Sequence, residues 1–136
     1  YTRPYTLSLH DALPISALLI DLGKWALGAD CAGEQWLRTL HHRYASHNED
    51  WVRNSRVSAC FYCYAFFPSE QVDEWWDRED ETFGRMTAVC PRCGIDSVLP
   101  QTPDTLLALT LVRTMGHWAF NGYARGDDRL REAGLF

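Results

Sequence analysis

Apolar positions recur at helical spacing in several stretches of the chain and crowd around cysteine in two others. Trp36, Leu37, Leu40 and Tyr44 share one face of a helix predicted over residues 32–44, with polar residues between them. Ser46 and Asn48 suit breaks or caps before a short turn carrying Trp51 and Val52. Further on, TPDTLLALTLVRTMGHWAFNG offers Thr102 as N-cap, Pro103 at the first helical position and Asn121-Gly122 as a stop, so the strongest predicted helix runs over about 103–120. Its Leu106, Leu107, Leu109, Leu111, Val112, Met115, Trp118 and Phe120 cover more than one face, which marks a central core element. Leu18, Leu22 and Trp25 give a fainter helical pattern over 17–28.

The stretch FPSEQVDEWWDRED opens with Pro-Ser, places acids in a first turn and sets Val72 beside Trp75 and Trp76, predicting a short helix after Phe67. MTAVC, residues 86–90, has strand character, and the tail DDRLREAGLF is expected to add a final turn or fray.

The opening residues need a separate account. YTLSLHDALPIS, residues 5–16, back-translates without a mismatch into a common short-read sequencing adapter running from Tyr5 through Ile15 into the Ser16 codon. Residues 1–16 are therefore expected to be a non-native artefact, as in a metagenomic read, and His10 and Asp11 receive no role. Residues 17–136 are expected to form a single domain, small enough to profit from a metal staple.

Charge and hydropathy narrow the classes. The net charge of −5 is poorly suited to a phosphate backbone, so nucleic acid is a disfavoured partner and a protein the favoured one. No apolar run approaches the roughly 18 residues of a membrane span. From Glu70 to Glu81 seven acids face one base, Arg78, a local balance of −6 that reads as a solvated face.

The cysteines carry the chemistry. Cys60-Phe-Tyr-Cys63 and Cys90-Pro-Arg-Cys93 form two CxxC pairs with 26 residues between the inner members. A CxxC turn aims two thiolates at one point while its backbone N–H groups bond the sulfurs; two turns supply four sulfurs at about 2.3 Å from a zinc ion. Cys60, Cys63, Cys90 and Cys93 are thus the expected ligands of one structural zinc, with iron as the alternative metal and disulfides or redox chemistry as lesser readings. Gly94 fits the positive φ that follows such a turn. CPRCG resembles the second knuckle of rubredoxins, whereas Tyr64 stands where their first knuckle has glycine. Four sulfurs leave no open position for water, so the metal is expected to build structure. Cys31, with no cation near it in sequence, reads as a small helix residue.

HNH-type nucleases also pair knuckles with histidine, but theirs lies between the knuckles, and residues 64–89 contain none. His41 and His42 are expected in surface or capping roles, and His117 packed beside Trp118. Tyr62, Tyr64, Phe66 and Phe67 are expected to pack over the metal loops in preference to stacking on bases.

The segment from His47 to Leu99 resembles a family of small uncharacterised bacterial cytoplasmic proteins. It shares with them CFYC (60–63), FPSE (67–70), EW (74–75) and CPRCGIDSV (90–98), with a looser match at His117-Trp118. It departs from them in Phe67 lying directly against Pro68, in Arg92 where the family has tyrosine, and in a longer tail. The resemblance implies a bacterial, cytosolic zinc-binding protein and brings no activity with it. Asp96 and Ser97, just past the second pair, are expected to bond the knuckle.

The expectation is a mostly helical α+β domain. In it a four-cysteine zinc ribbon or treble-clef-like module, about 56–99, packs on the helix of about 103–120 and acts in protein interaction. A rubredoxin-like electron carrier, a degenerate HNH-type nuclease and a nucleic-acid-binding regulator stand as alternatives.

Overall fold

The computed structural model describes residues 31–78 and 85–135; for Cys31 and Ala32 it describes the backbone only. The predicted helix over 17–28 and the adapter-like residues 1–16 lie outside the described residues. Helix α1, Cys31–Leu40, continues into one wide π-helical turn, His41–Ala45, which brings Tyr44 and Ala45 onto the buried face already holding Leu37 and Leu40. Helix α2, Glu49–Arg53, is a single turn and a half that buries Val52.

Three short strands form an antiparallel sheet in the order β2-β1-β5: β1 is Val57–Cys60, β2 Phe66–Pro68 and β5 Val98–Pro100. Ala59 sits opposite Phe66 and Leu99, and Cys60 opposite Val98. Side chains on a strand alternate between faces. Ala59, Phe61 and Leu99 accordingly enter the helical core with Leu37, Leu40, Tyr44, Leu111 and Met115. Cys60 and Val98 turn the other way and join Val52, Phe67, Val72, Ala88 and Cys90 in a second, smaller core. The sheet thus divides a helix side from a cysteine side.

The segment predicted as a helix after Phe67 is not one. Pro68 leads into a single 3-10 turn, Ser69–Gln71, which ends as Val72 becomes extended (φ −72°, ψ 114°). Trp75–Trp76 then form β3, paired antiparallel with β4, Thr87–Ala88. Adjacent tryptophans suit a ribbon whose side chains alternate better than a helix face, and Val89 N–H closes the pairing on the Glu74 carbonyl at 3.1 Å. The strand expected within 86–90 is β4.

Helix α3, Leu109–Ala119, is shorter than the predicted 103–120. Thr102 does not cap it. Its hydroxyl accepts the Asp104 and Thr105 N–H groups at 3.2 and 3.1 Å, and the Thr105 hydroxyl donates to the Pro100 carbonyl at 2.7 Å. These bonds close a buried turn, and the helix starts only after Ala108, which is extended. The predicted stop holds: Asn121 and Gly122 take positive φ of 54° and 92°, and Gly122 N–H bonds the His117 carbonyl at 2.7 Å. The tail forms a further helix, α4, Arg125–Glu132.

Asn48 ties these layers together. Its side chain does not cap α2; fully buried, it donates to the Tyr44 carbonyl at 2.8 Å and the Val98 carbonyl at 2.9 Å, and accepts the Ala88 N–H at 2.9 Å. One amide therefore bonds the helix side, the larger sheet and the smaller ribbon.

Candidate metal centre

The two CxxC turns have the same local form. After the first, Tyr64 N–H bonds the Cys60 carbonyl at 2.9 Å and Cys60 N–H bonds the Ala65 carbonyl at 2.9 Å. After the second, Gly94 bonds Cys90 at 3.0 Å and Cys90 bonds Ile95 at 2.8 Å. Both turns need a left-handed residue directly after the second cysteine, and Tyr64 (φ 62°) and Gly94 (φ 76°) supply it. Tyr64 therefore adopts the conformation for which the rubredoxin comparison wanted glycine.

All four Sγ atoms lie within 4.8 Å of one another, with Cys60 to Cys93 at 3.6 Å and Cys63 to Cys90 at 3.8 Å. A tetrahedron with sulfurs about 2.3 Å from its centre has edges of about 3.8 Å, so these two pairs match its opposite edges. The four expected ligands are brought together, and the described residues contain no other such cluster of metal-binding side chains. Cys60, Cys63 and Cys90 are buried and Cys93 is half-buried. Cys31 opens α1, and its side chain is outside the description.

The surroundings suit thiolate. Tyr62 N–H and Cys63 N–H point at Cys60 Sγ, each at 3.3 Å, and Arg92 N–H points at Cys90 Sγ at 3.3 Å. Ser97 Oγ is 2.9 Å from Cys60 Sγ, the role expected for it, whereas Asp96 is exposed. Four thiols this close share protons. Hydrogen bonds from Cys60, Cys90 and Cys93 hold the Cys63 thiol far below its ordinary value, and the reciprocal bonds with burial push Cys60 far above it. A divalent ion would take the place of those protons.

The first turn is fastened to helix α4. Gly126 N–H bonds the Tyr62 carbonyl at 2.7 Å, and Arg129 Nη1 bonds the Cys63 carbonyl at 2.8 Å. The Tyr64 ring lies in a slot between Gly116 of α3 and Gly126 of α4, where a Cβ on either glycine would meet Tyr64 atoms; at Gly116 it would overlap the Phe61 carbonyl as well. The Tyr64 hydroxyl is buried without a hydrogen-bond partner, and burial, with the nearby Asp127 carboxylate, raises its pKa. Gly126→Ala is expected to destabilise the protein by about 3 kcal/mol through overpacking, whereas Tyr64→Phe should be neutral or slightly stabilising. Denaturant midpoints of the two variants check this.

The histidines stand apart from the sulfurs. His117 Nε2 lies 2.6 Å from Asp127 Oδ2, and Arg113 Nε lies 3.2 Å from Oδ1 of the same buried carboxylate. Burial raises the Asp127 pKa, but the His117 bond and charge and the Arg113 bond outweigh it and the net shift is downward. His117 thus pairs with α4, which the sequence reading did not foresee. His41, expected in a surface or capping role, is edge-on to both Phe61 and Trp118, at 5.9 and 5.6 Å between ring centres. Burial lowers its pKa from 6.5, with Asp96 pulling upward and His42 downward. The unfolded chain then gains a proton more readily than the folded one, so stability is lost as pH falls from about 6.5 through the lower folded value. His41→Gln should flatten that slope in urea titrations run across this range.

The four aromatics near the first knuckle form no common platform. Phe67 and Tyr64 are buried in different cores, Tyr62 packs against Phe120 at 4.8 Å, and Phe66 is exposed.

Fold and site together define an α+β protein in which four cysteines stand close enough to hold a metal ion. Comparisons with protein-family models, curated proteins and solved structures returned no match to this chain. Among the described residues no helix is long and apolar enough to cross a membrane.

Proposed function

We propose that this is a bacterial cytoplasmic zinc protein in which one structural zinc, held by Cys60, Cys63, Cys90 and Cys93, maintains a ribbon-like module for binding another protein. The observation that carries the reading is the sulfur geometry: two knuckles of the same form, with opposite edges of 3.6 and 3.8 Å. Four sulfurs fill a tetrahedral ion and leave nowhere for water to be activated. The protein partner is supported by a cleft of about 1200 Å³ between α2 and β2, walled by Phe66, Pro68 and Trp75. Arg53 lies over the Trp75 ring at 4.4 Å, and Phe66 and Trp76 are exposed nearby. Such aromatic, arginine-edged surfaces are typical of protein contacts. The acidic chain argues against a nucleic-acid partner.

Elemental analysis of protein purified without added metal should give one zinc per chain. A rubredoxin-like carrier is the second reading, because both knuckles direct N–H groups at sulfur and would suit iron equally. One iron per chain, with visible thiolate-to-iron absorption, would establish that reading in place of zinc.

A further inference from the structure

A second cleft, of about 480 Å³, opens beside the sulfur cluster, between the two knuckles and the start of α4. Cys63, Phe66 and Cys93 form part of its wall, and three arginines, Arg92, Arg125 and Arg129, form another part. This grouping is unusual for an acidic chain. Elsewhere Arg38, Arg53, Arg85, Arg113 and Arg131 each pair with a carboxylate. Among the described residues no carboxylate lines this cleft or pairs with its three arginines.

Two of the three are held by neutral acceptors. Arg129 bonds the Cys63 carbonyl at 2.8 Å and Arg92 bonds Gln71 Oε1 at 3.0 Å. A guanidinium has five N–H donors, so each of these bonds fixes the group and leaves donors over. Nor are these side chains spent on the sulfurs, whose partners are the backbone N–H groups of Tyr62, Cys63 and Arg92 and the Ser97 hydroxyl. Three cations converging from two separate segments, two of them pre-positioned, match the charge and forked geometry by which arginine binds phosphate oxygens.

We propose that this cleft is an anion site that takes a phosphoryl group, free or carried on a larger molecule. The cleft is larger than one phosphate, and Phe66 gives it an apolar wall for an organic body. This inference is independent of which metal the cysteines hold.

The test is calorimetric titration of the metal-loaded protein with inorganic phosphate, and separately with phenyl phosphate, at low ionic strength and with metal content measured on each sample. Saturable binding of one phosphate per chain is expected. Arg92→Gln and Arg125→Gln should each weaken it about ten-fold, the loss of one charge-assisted hydrogen bond, with metal content unchanged. Arg131→Gln, on α4 but paired with Asp128, should leave affinity as it was. Tighter phenyl phosphate would identify an organic monoester as the fitting ligand, and equal affinity would identify the free ion. The proposal is overturned by absence of saturable binding, by unchanged affinity in Arg92→Gln and Arg125→Gln, or by an equal loss in Arg131→Gln.

Discussion

Cys60→Ser is expected to leave the chain unable to hold its metal tightly and largely unfolded at room temperature. Cys60 is the most enclosed of the four ligands: fully buried, 3.6 Å from Cys93 Sγ, with two backbone N–H groups and the Ser97 hydroxyl around its sulfur. A structural zinc contributes on the order of 10 kcal/mol or more in finger peptides at neutral pH, whereas a whole domain has a net stability of about 5–15 kcal/mol. The second core is small and includes Cys60, Cys63 and Cys90 among its buried residues, so loss of the ion would disturb it directly. Cys93→Ser, at the half-buried ligand, should do less damage. Circular dichroism and amide NMR, with and without a chelator, read both effects. A Cys60→Ser protein that kept a dispersed spectrum and the parent unfolding midpoint would defeat the metal-staple account.

Asn48→Ala should cost about 3 kcal/mol or more, since three hydrogen bonds are lost and their buried backbone partners at Tyr44, Ala88 and Val98 are stranded together. Asn48→Asp should be worse, because a carboxylate would face two carbonyl oxygens where the amide now donates. Denaturant titration measures the loss. Metal affinity should fall in parallel, since the bonds to Ala88 and Val98 hold the strands on either side of the second cysteine pair. A stability change under 1 kcal/mol would mean that water or a shifted backbone satisfies these groups.

The four-cysteine cluster was legible because metal chemistry fixes both residue type and spacing: two CxxC turns can converge from any sufficiently long loop. Helices α1 and α3 were legible because each buries an apolar stripe. Of helix α4 only a final turn or a frayed end was legible, for a physical reason. In RGDDRLRE it buries Gly126 and Asp127, so it docks through backbone, a close glycine contact and an ion pair, none of which leaves a periodic apolar signal. The tryptophan ribbon was misread because its strands are two residues long, too short for alternation to compete with a plausible helix start. In sequence Asn48 suits a break or a cap, because its partners are 4, 40 and 50 positions away and only the nearest is local.

The difference between Tyr64 and Gly94 gives the centre a front and a back. Two turns of equal form would be interchangeable, yet a ring locked between two helices anchors one while the other ends in a bare glycine, with Pro91, Arg92, Gly94 and Asp96 exposed around it. Ion exchange should therefore be a one-sided event. The Cys90 and Cys93 turn is expected to swing outward first, leaving the Cys60 and Cys63 half on the helices as a waiting dithiol. A chelator, an oxidant or a competing metal would meet the outer pair before the inner one, and the inner pair would keep the address to which the ion returns.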